Sequence, residues 1–156
     1  DSLTINSGAG YDSITAKTGA VLNDVEFDTG SSVNPNVDNV KFYATGDVGN
    51  VTMTAAYALT LDMQIAGSAK DLTLTTGDGS DNITIKITDE IDNFISDTYA
   101  GIDLVHLLSG GTIQDIRVDS TDGLILDIYS TGAGDIIVDT GNLAVDIDII
   151  VDGDIG

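Results

Sequence analysis

Two segments of the chain join closely spaced glycines to an aspartate. Gly8-Ala9-Gly10-Tyr11-Asp12-Ser13-Ile14 and Gly77-Asp78-Gly79-Ser80-Asp81-Asn82-Ile83 both read G-x-G-x-D-x-I. Gly132-Ala133-Gly134-Asp135-Ile136 is a degenerate third copy that lacks one residue before its Asp. Glycine reaches positive φ without steric cost, so these segments turn the chain sharply, and the short Asp carboxylate lies near the turn's backbone. Such a group can face a cation or make a plain turn that holds no ion. His106, the one imidazole, lies in Leu104-Val105-His106-Leu107-Leu108 with no marked nucleophile or acid beside it, which predicts a half-buried packing role. Asp146 with Asp148, and Asp152 with Asp154, form same-face carboxyl pairs, but in so acidic a chain such pairs do not single out a glycosidase. Arg117 and four scattered lysines are too few to stabilise the anion of an acidic-sugar lyase. No enzyme is expected.

In form, the glycine-aspartate segments resemble the haemolysin-type repeat of RTX proteins, G-G-x-G-x-D-x-U-x. The resemblance implies a β-solenoid whose glycine turns expose carbonyls and whose Asp completes a calcium site between neighbouring coils, as in bacterial or archaeal adhesins and surface-layer proteins. It would make Gly8, Gly10, Asp12, Gly77, Asp78, Gly79, Asp81 and Asp135 the metal-binding positions, with calcium as the cofactor. The chain departs from the pattern in two ways: Ser7 and Thr76 stand where the first glycine belongs, and the copies are isolated instead of tandem.

The segments that must position these turns alternate apolar and polar residues, as in Leu59-Thr60-Leu61-Asp62-Met63-Gln64-Ile65, Ile83-Thr84-Ile85-Lys86-Ile87 and Val145-Asp146-Ile147-Asp148-Ile149. Strict alternation means strands with one buried face. Leu3, Ile14 and Val25, then Val40 and Val51, then Leu72 and Ile83, are each separated by 11 residues. This quasi-repeat predicts an all-β parallel solenoid with coils of about 20 to 22 residues, each burying its apolar face on the next. The longer step from Val25 to Val40 predicts a loop around Ser31-Ser32-Val33-Asn34-Pro35-Asn36. An antiparallel β-sandwich is the competing fold, since it too shows short strands at intervals of about 8 to 12 residues. Residues 88–111 break the pattern: Ile91, Phe94, Ile95, Tyr99 and Ile102 fall at steps of three and four behind a Thr88 or Asp89 cap, which predicts a short helix or irregular insertion. No linker divides the chain, so 1–156 reads as one solenoid-like domain.

Composition sets the remaining bounds. Twenty-six acidic residues face five basic ones, for a formal charge of −21, which excludes nucleic acid and disfavours anionic membranes. Cations, basic surfaces and glycans remain as partners, and the acids could equally serve solvation alone, as in a halophilic protein. Only Glu26 and Glu90 are glutamates, a bias toward turn-forming Asp that agrees with many short strands. There is no Cys, so repetition, core size or metal must hold the fold. No stretch is apolar for the roughly 20 residues a membrane helix takes. The start at Asp1 suggests a processed or excised chain, and the sequons Asn50-Val51-Thr52 and Asn82-Ile83-Thr84 suit an extracellular one. The expected function is a structural or adhesive segment of a larger, repetitive cell-surface protein, self-associating as a homo-oligomer, lattice or filament and stabilised by calcium. The alternative is a carbohydrate-binding or depolymerising β-helix module like those of phage tail fibres.

Overall fold

A computed structural model of the chain describes residues 1–30, 37–141 and 145–153. It is all-β, with no helix among the described residues. Odd-numbered strands build one sheet: β1 (Ser2–Asn6), β3 (Leu22–Asp28), β5 (Val48–Thr54), β7 (Ala69–Thr75), β9 (Ile91–Thr98), β11 (Thr112–Ser120) and β13 (Gly132–Thr140), in that order. Even-numbered strands build the other: β2 (Ser13–Thr18), β4 (Val37–Ala44), β6 (Ala58–Ile65), β8 (Asn82–Ile87), β10 (Ile102–Ser109), β12 (Gly123–Ser130) and β14 (Val145–Val151). Pairing within each sheet is parallel throughout, so the chain is a two-sheet β-solenoid of about 6 turns, and the sandwich alternative falls. A parallel pair needs a crossover between its strands, and here the crossover is a strand of the opposite sheet.

The 11-residue spacing is half a coil. Leu3 pairs with Val25 in the first sheet, while Ile14, between them in sequence, pairs with Val40 in the second. Side chains of alternate residues point between the sheets and stack coil upon coil: Val25, Val51, Leu72, Phe94 and Ile116 from one side, Val40, Leu61, Ile83, Val105 and Leu126 from the other, all at most 1% exposed. Each full coil advances about 22 residues; the one containing residues 31–36 advances 26, and the loop expected there lies outside the described residues, as does Asp154 of the second carboxyl pair.

Residues 88–111 are neither helical nor irregular; they contribute β9 and β10 in register with their neighbours. The helical spacing has a local cause. First-sheet strands take a two-residue step at their start: Ile91 is buried, Asp92 and Asn93 turn outward, and Phe94 is buried again. Leu22, Asn23, Asp24 and Val25 take the same step in β3. The step turns a period of two into a gap of three, and Ser96, buried where an apolar residue would keep the alternation visible, completes the disguise.

Candidate functional site

The glycine-aspartate segments form the corners where the chain passes from the first sheet to the second. Gly8 and Gly10 lie between β1 and β2, and Gly77, exposed Asp78 and Gly79 lie between β7 and β8. Gly79 has φ +138 and Gly101, one coil later, φ +147; a Cβ on Gly101 would sit 2.3 Å from the Gly79 carbonyl oxygen, so side chains are barred by both conformation and space. Gly101 opens a corner of the same kind, Gly101-Ile102-Asp103-Leu104-Val105, that lacks the first glycine and was not evident from the motif.

Asp38, Asp81 and Asp103, which stand in one column just ahead of the second-sheet core positions, reach back along the solenoid. Asp38 Oδ1 accepts the Asp12 N–H at 3.0 Å, Asp81 Oδ1 accepts the Leu59 N–H at 2.7 Å, and Asp103 Oδ1 accepts the Asp81 N–H at 3.1 Å. Three pairs of successive residues in this column, Asp12 with Asp38, Leu59 with Asp81 and Asp81 with Asp103, are thus stapled side chain to backbone across neighbouring coils. The Thr76 hydroxyl donates to the second oxygen of Asp81, and Ser120 Oγ lies 3.5 Å from Asp103 Oδ2. Asp38, Asp81 and Asp103 are at most 3% exposed. Burial pushes the Asp81 carboxyl from 3.8 up to about 7, against the pull of the Thr76 hydroxyl and Leu59 N–H and with help from the nearby Asp103 charge. Burial also raises Asp103. These two carboxyls, one coil apart, therefore favour their neutral forms more than ordinary aspartates do.

This arrangement makes a hydrogen-bonded corner: the Asp81 oxygens accept an N–H and an O–H, Gly101 O accepts the Gly123 N–H, and Ala100 O accepts the Gly79 N–H. Among the described residues no group of three or more His, Asp or Glu side chains is disposed to hold a metal. Asp135 sits apart from the corners: Gly132 begins β13, so Asp135 is a first-sheet residue in register with Asp115. His106 lies on the outer face of the second sheet, its side chain 40% exposed and its Nδ1 3.6 Å from Asp127.

Two columns on the outside of the first sheet escaped sequence reasoning, because only the register shows which residues stack. At the two-residue step, Ser2, Asp24, Asn50, Asp71, Asn93, Asp115 and Asp135 follow one another along the solenoid. Asn and Asp alternate through most of it, with Asn50 Nδ2 donating to Asp24 at 3.1 Å and Asn93 Nδ2 donating to Asp71 at 2.5 Å. An amide between two carboxylates replaces like-charge repulsion by a hydrogen bond. Near the strand ends Asp97, Asp119 and Asp139 stand in register, and Arg117 binds Asp119 through Nε at 3.0 Å and Nη2 at 2.5 Å. A shallow groove beside them is lined by Asn93, Ile95, Asp115, Arg117, Asp135 and Ile137. Comparison with known protein families, curated proteins and solved structures finds no match.

Proposed function

We propose that this chain is a structural segment of an extracellular or cell-surface assembly, a short rigid rod whose work is done by stacking. The observation that carries this reading is the uninterrupted parallel stack, seven described strands to each sheet, around one apolar interior whose side chains in the middle coils are fully buried. The strongly acidic outer faces, free of thiols, suit a secreted structure that must stay soluble along its sides.

The carbohydrate-binding alternative has less support. Tyr43 and Tyr129 share an outer column but are separated along it by Gln64, Lys86 and Leu108, so they do not form a stacking platform for sugar rings. The structural reading is tested by a glycan array and a polysaccharide-cleavage assay on the purified chain. It predicts neither saturable binding nor cleavage; either result would replace it with the carbohydrate module.

A further inference from the structure

The acids on the outside of the solenoid are unevenly shared between its two faces. On the first sheet every strand from β3 to β13 except β5 turns Asp or Glu outward, among them Glu26, Asp71, Asp97, Asp119 and Asp139, against the bases Lys70 and Arg117. On the second sheet, β2 to β10 turn Lys17, Lys41, Lys86 and His106 outward, with Asp62 as the outward acid of those strands. Acids return on that face with Asp127 in β12 and with Asp146 and Asp148 in β14. Beside the bases it bears Leu104, Leu108, Ile125 and Tyr129, the last two 39% and 41% exposed. These are flanks of the stack, so their exposure does not depend on where the stack begins or ends.

The chain reverses at each corner, so the outward columns of the two sheets lie back to back: Asp71, Thr73 and Thr75 of β7 behind Lys86, Thr84 and Asn82 of β8. A second copy displaced sideways without rotation therefore lays its second-sheet face on the first-sheet face of the first copy, with these same columns opposed. Lys86 then faces Asp71, Lys41 faces Glu26, and Asp127 faces Arg117. The Tyr129 hydroxyl faces Asp115, and Gln64 faces Asn50. In the columns so opposed, the one like-charge meeting among the described residues is Asp146 with Asp139, in the last coil. Both faces share a single rise per coil, so the match holds along the length of the stack instead of drifting. Seven strands about 4.8 Å apart, each about 20 Å long, give a face of about 600 Å² and a contact of about 1,200 Å² in total, the size of a specific interface.

We infer that copies of this chain pack side by side in the same orientation, the second-sheet face of one on the first-sheet face of the next. The inference rests on the structural reading above and adds to it the partner, the faces and the register. Two first-sheet faces brought together would instead oppose acid to acid. The contact is heterologous and does not close on itself, so it extends into a layer of parallel rods. At physiological ionic strength charges more than about 8 Å apart are screened, which mutes the repulsion between whole chains of charge −21 and leaves the pairs in contact.

The test is sedimentation equilibrium of the whole chain across a concentration series, joined to carbodiimide cross-linking of amines to carboxylates read by mass spectrometry. Wild type is expected to form oligomers that grow with concentration and to yield a Lys86–Asp71 cross-link. Those two side chains point away from each other on opposite faces of one copy, so the link can form only between copies. Lys86→Glu places a carboxylate against Asp71 of the neighbour, while in its own copy position 86 stands between Gln64 and Leu108. It is expected to associate at least about tenfold more weakly with an unchanged circular dichroism spectrum. Adding Asp71→Lys is expected to restore assembly. Adding Glu26→Lys instead gives the same formal charge but opposes Lys41 of the neighbour, and is expected to leave assembly weak. A wild type monomeric up to about 1 mM, oligomers without the Lys86–Asp71 link, or a Lys86→Glu protein that assembles like wild type would each overturn the inference. So would failure of Asp71→Lys to rescue, or an equal rescue by Glu26→Lys. The glycan assays judge the underlying structural reading separately: a monomeric wild type that binds no glycan would overturn this inference alone.

Discussion

Replacing Asp81 by asparagine isolates the energetics of the corner. Asn is nearly isosteric, its Oδ1 can still accept the Leu59 N–H, and its amide can donate to the Thr76 hydroxyl, so the staple survives without a charge. In the wild-type fold the carboxyl titrates near 7, against 3.8 in the unfolded chain, mainly because burial penalises the ionised form. Below pH 3.8 both states hold the proton, and the full stability of the neutral corner is present. Between 3.8 and 7 the folded chain holds a proton that the unfolded chain has released, so stability falls as pH rises and is lost through the folded value. The separation of about 3 units corresponds to at most about 4 kcal/mol, and water reaching the corner reduces that to about 2. The raised Asp103 carboxyl acts in the same direction. Urea titrations followed by far-UV circular dichroism at pH 5 and pH 8 should therefore show Asp81→Asn more stable than wild type by about 2 kcal/mol at pH 8, with the gap closing toward pH 5. Overall repulsion among the acids also lowers stability at high pH, and Asp78→Asn, which removes one charge from an exposed site on the same turn, serves as the control. An Asp81→Asn protein that is less stable than wild type at pH 8, or whose gap matches that of Asp78→Asn at both pH values, would refute the reasoning.

Phe94 is 0% exposed at the middle of the stack, and Phe94→Ala should cost about 3–5 kcal/mol, read as a lower urea midpoint. Gly101→Ala combines a left-handed φ with a Cβ only 2.3 Å from a backbone oxygen, and should cost more than about 2 kcal/mol, whereas Gly8→Ala, at φ +85 in open space, should cost about 1. Asn50→Asp would insert a carboxylate between those of Asp24 and Asp71, one in each of three consecutive coils; it should destabilise by about 1 kcal/mol at low salt, and the loss should shrink as sodium chloride is raised. Calcium and magnesium at matched ionic strength should shift the melting temperature equally, since the Asp81 oxygens already accept an N–H and an O–H; a clearly larger shift with calcium would support the metal-site reading.

The solenoid was legible because its signal is redundant. Leu3, Ile14, Val25, Val51, Leu72 and Ile83 all mark inward positions, and one missing or substituted residue does not erase an 11-residue step repeated along the chain. Residues 88–111 were misleading because outward Asp92 and Asn93 and inward Ser96 act together, and a single-sequence pattern cannot separate a backbone step from a helical turn. The corners were half legible. The glycines of Gly77-Asp78-Gly79 drew notice to Asp81, but Asp103, with only Gly101 before it, has the same role, and so does Asp38. The spacing of 22 residues between Asp81 and Asp103, read with the apolar residue two places after each, is the signal that could have found the second. Asp135 was drawn in by its glycines, although Gly132 and Gly134 belong to a strand. The Asn and Asp column was hidden, because its members lie about a coil apart and only pairing in register makes them neighbours.

A crystal structure grown in the presence of calcium tests most directly the claim that parallel coils are held at their corners by carboxylates bonded to the backbone of the preceding coil. It should show two parallel sheets with Leu3 beside Val25 and Ile14 beside Val40, and the Asp81 carboxylate accepting the Leu59 N–H with no ion upon it. Antiparallel pairing of these strands, or a calcium ion ligated by Asp81, would contradict it.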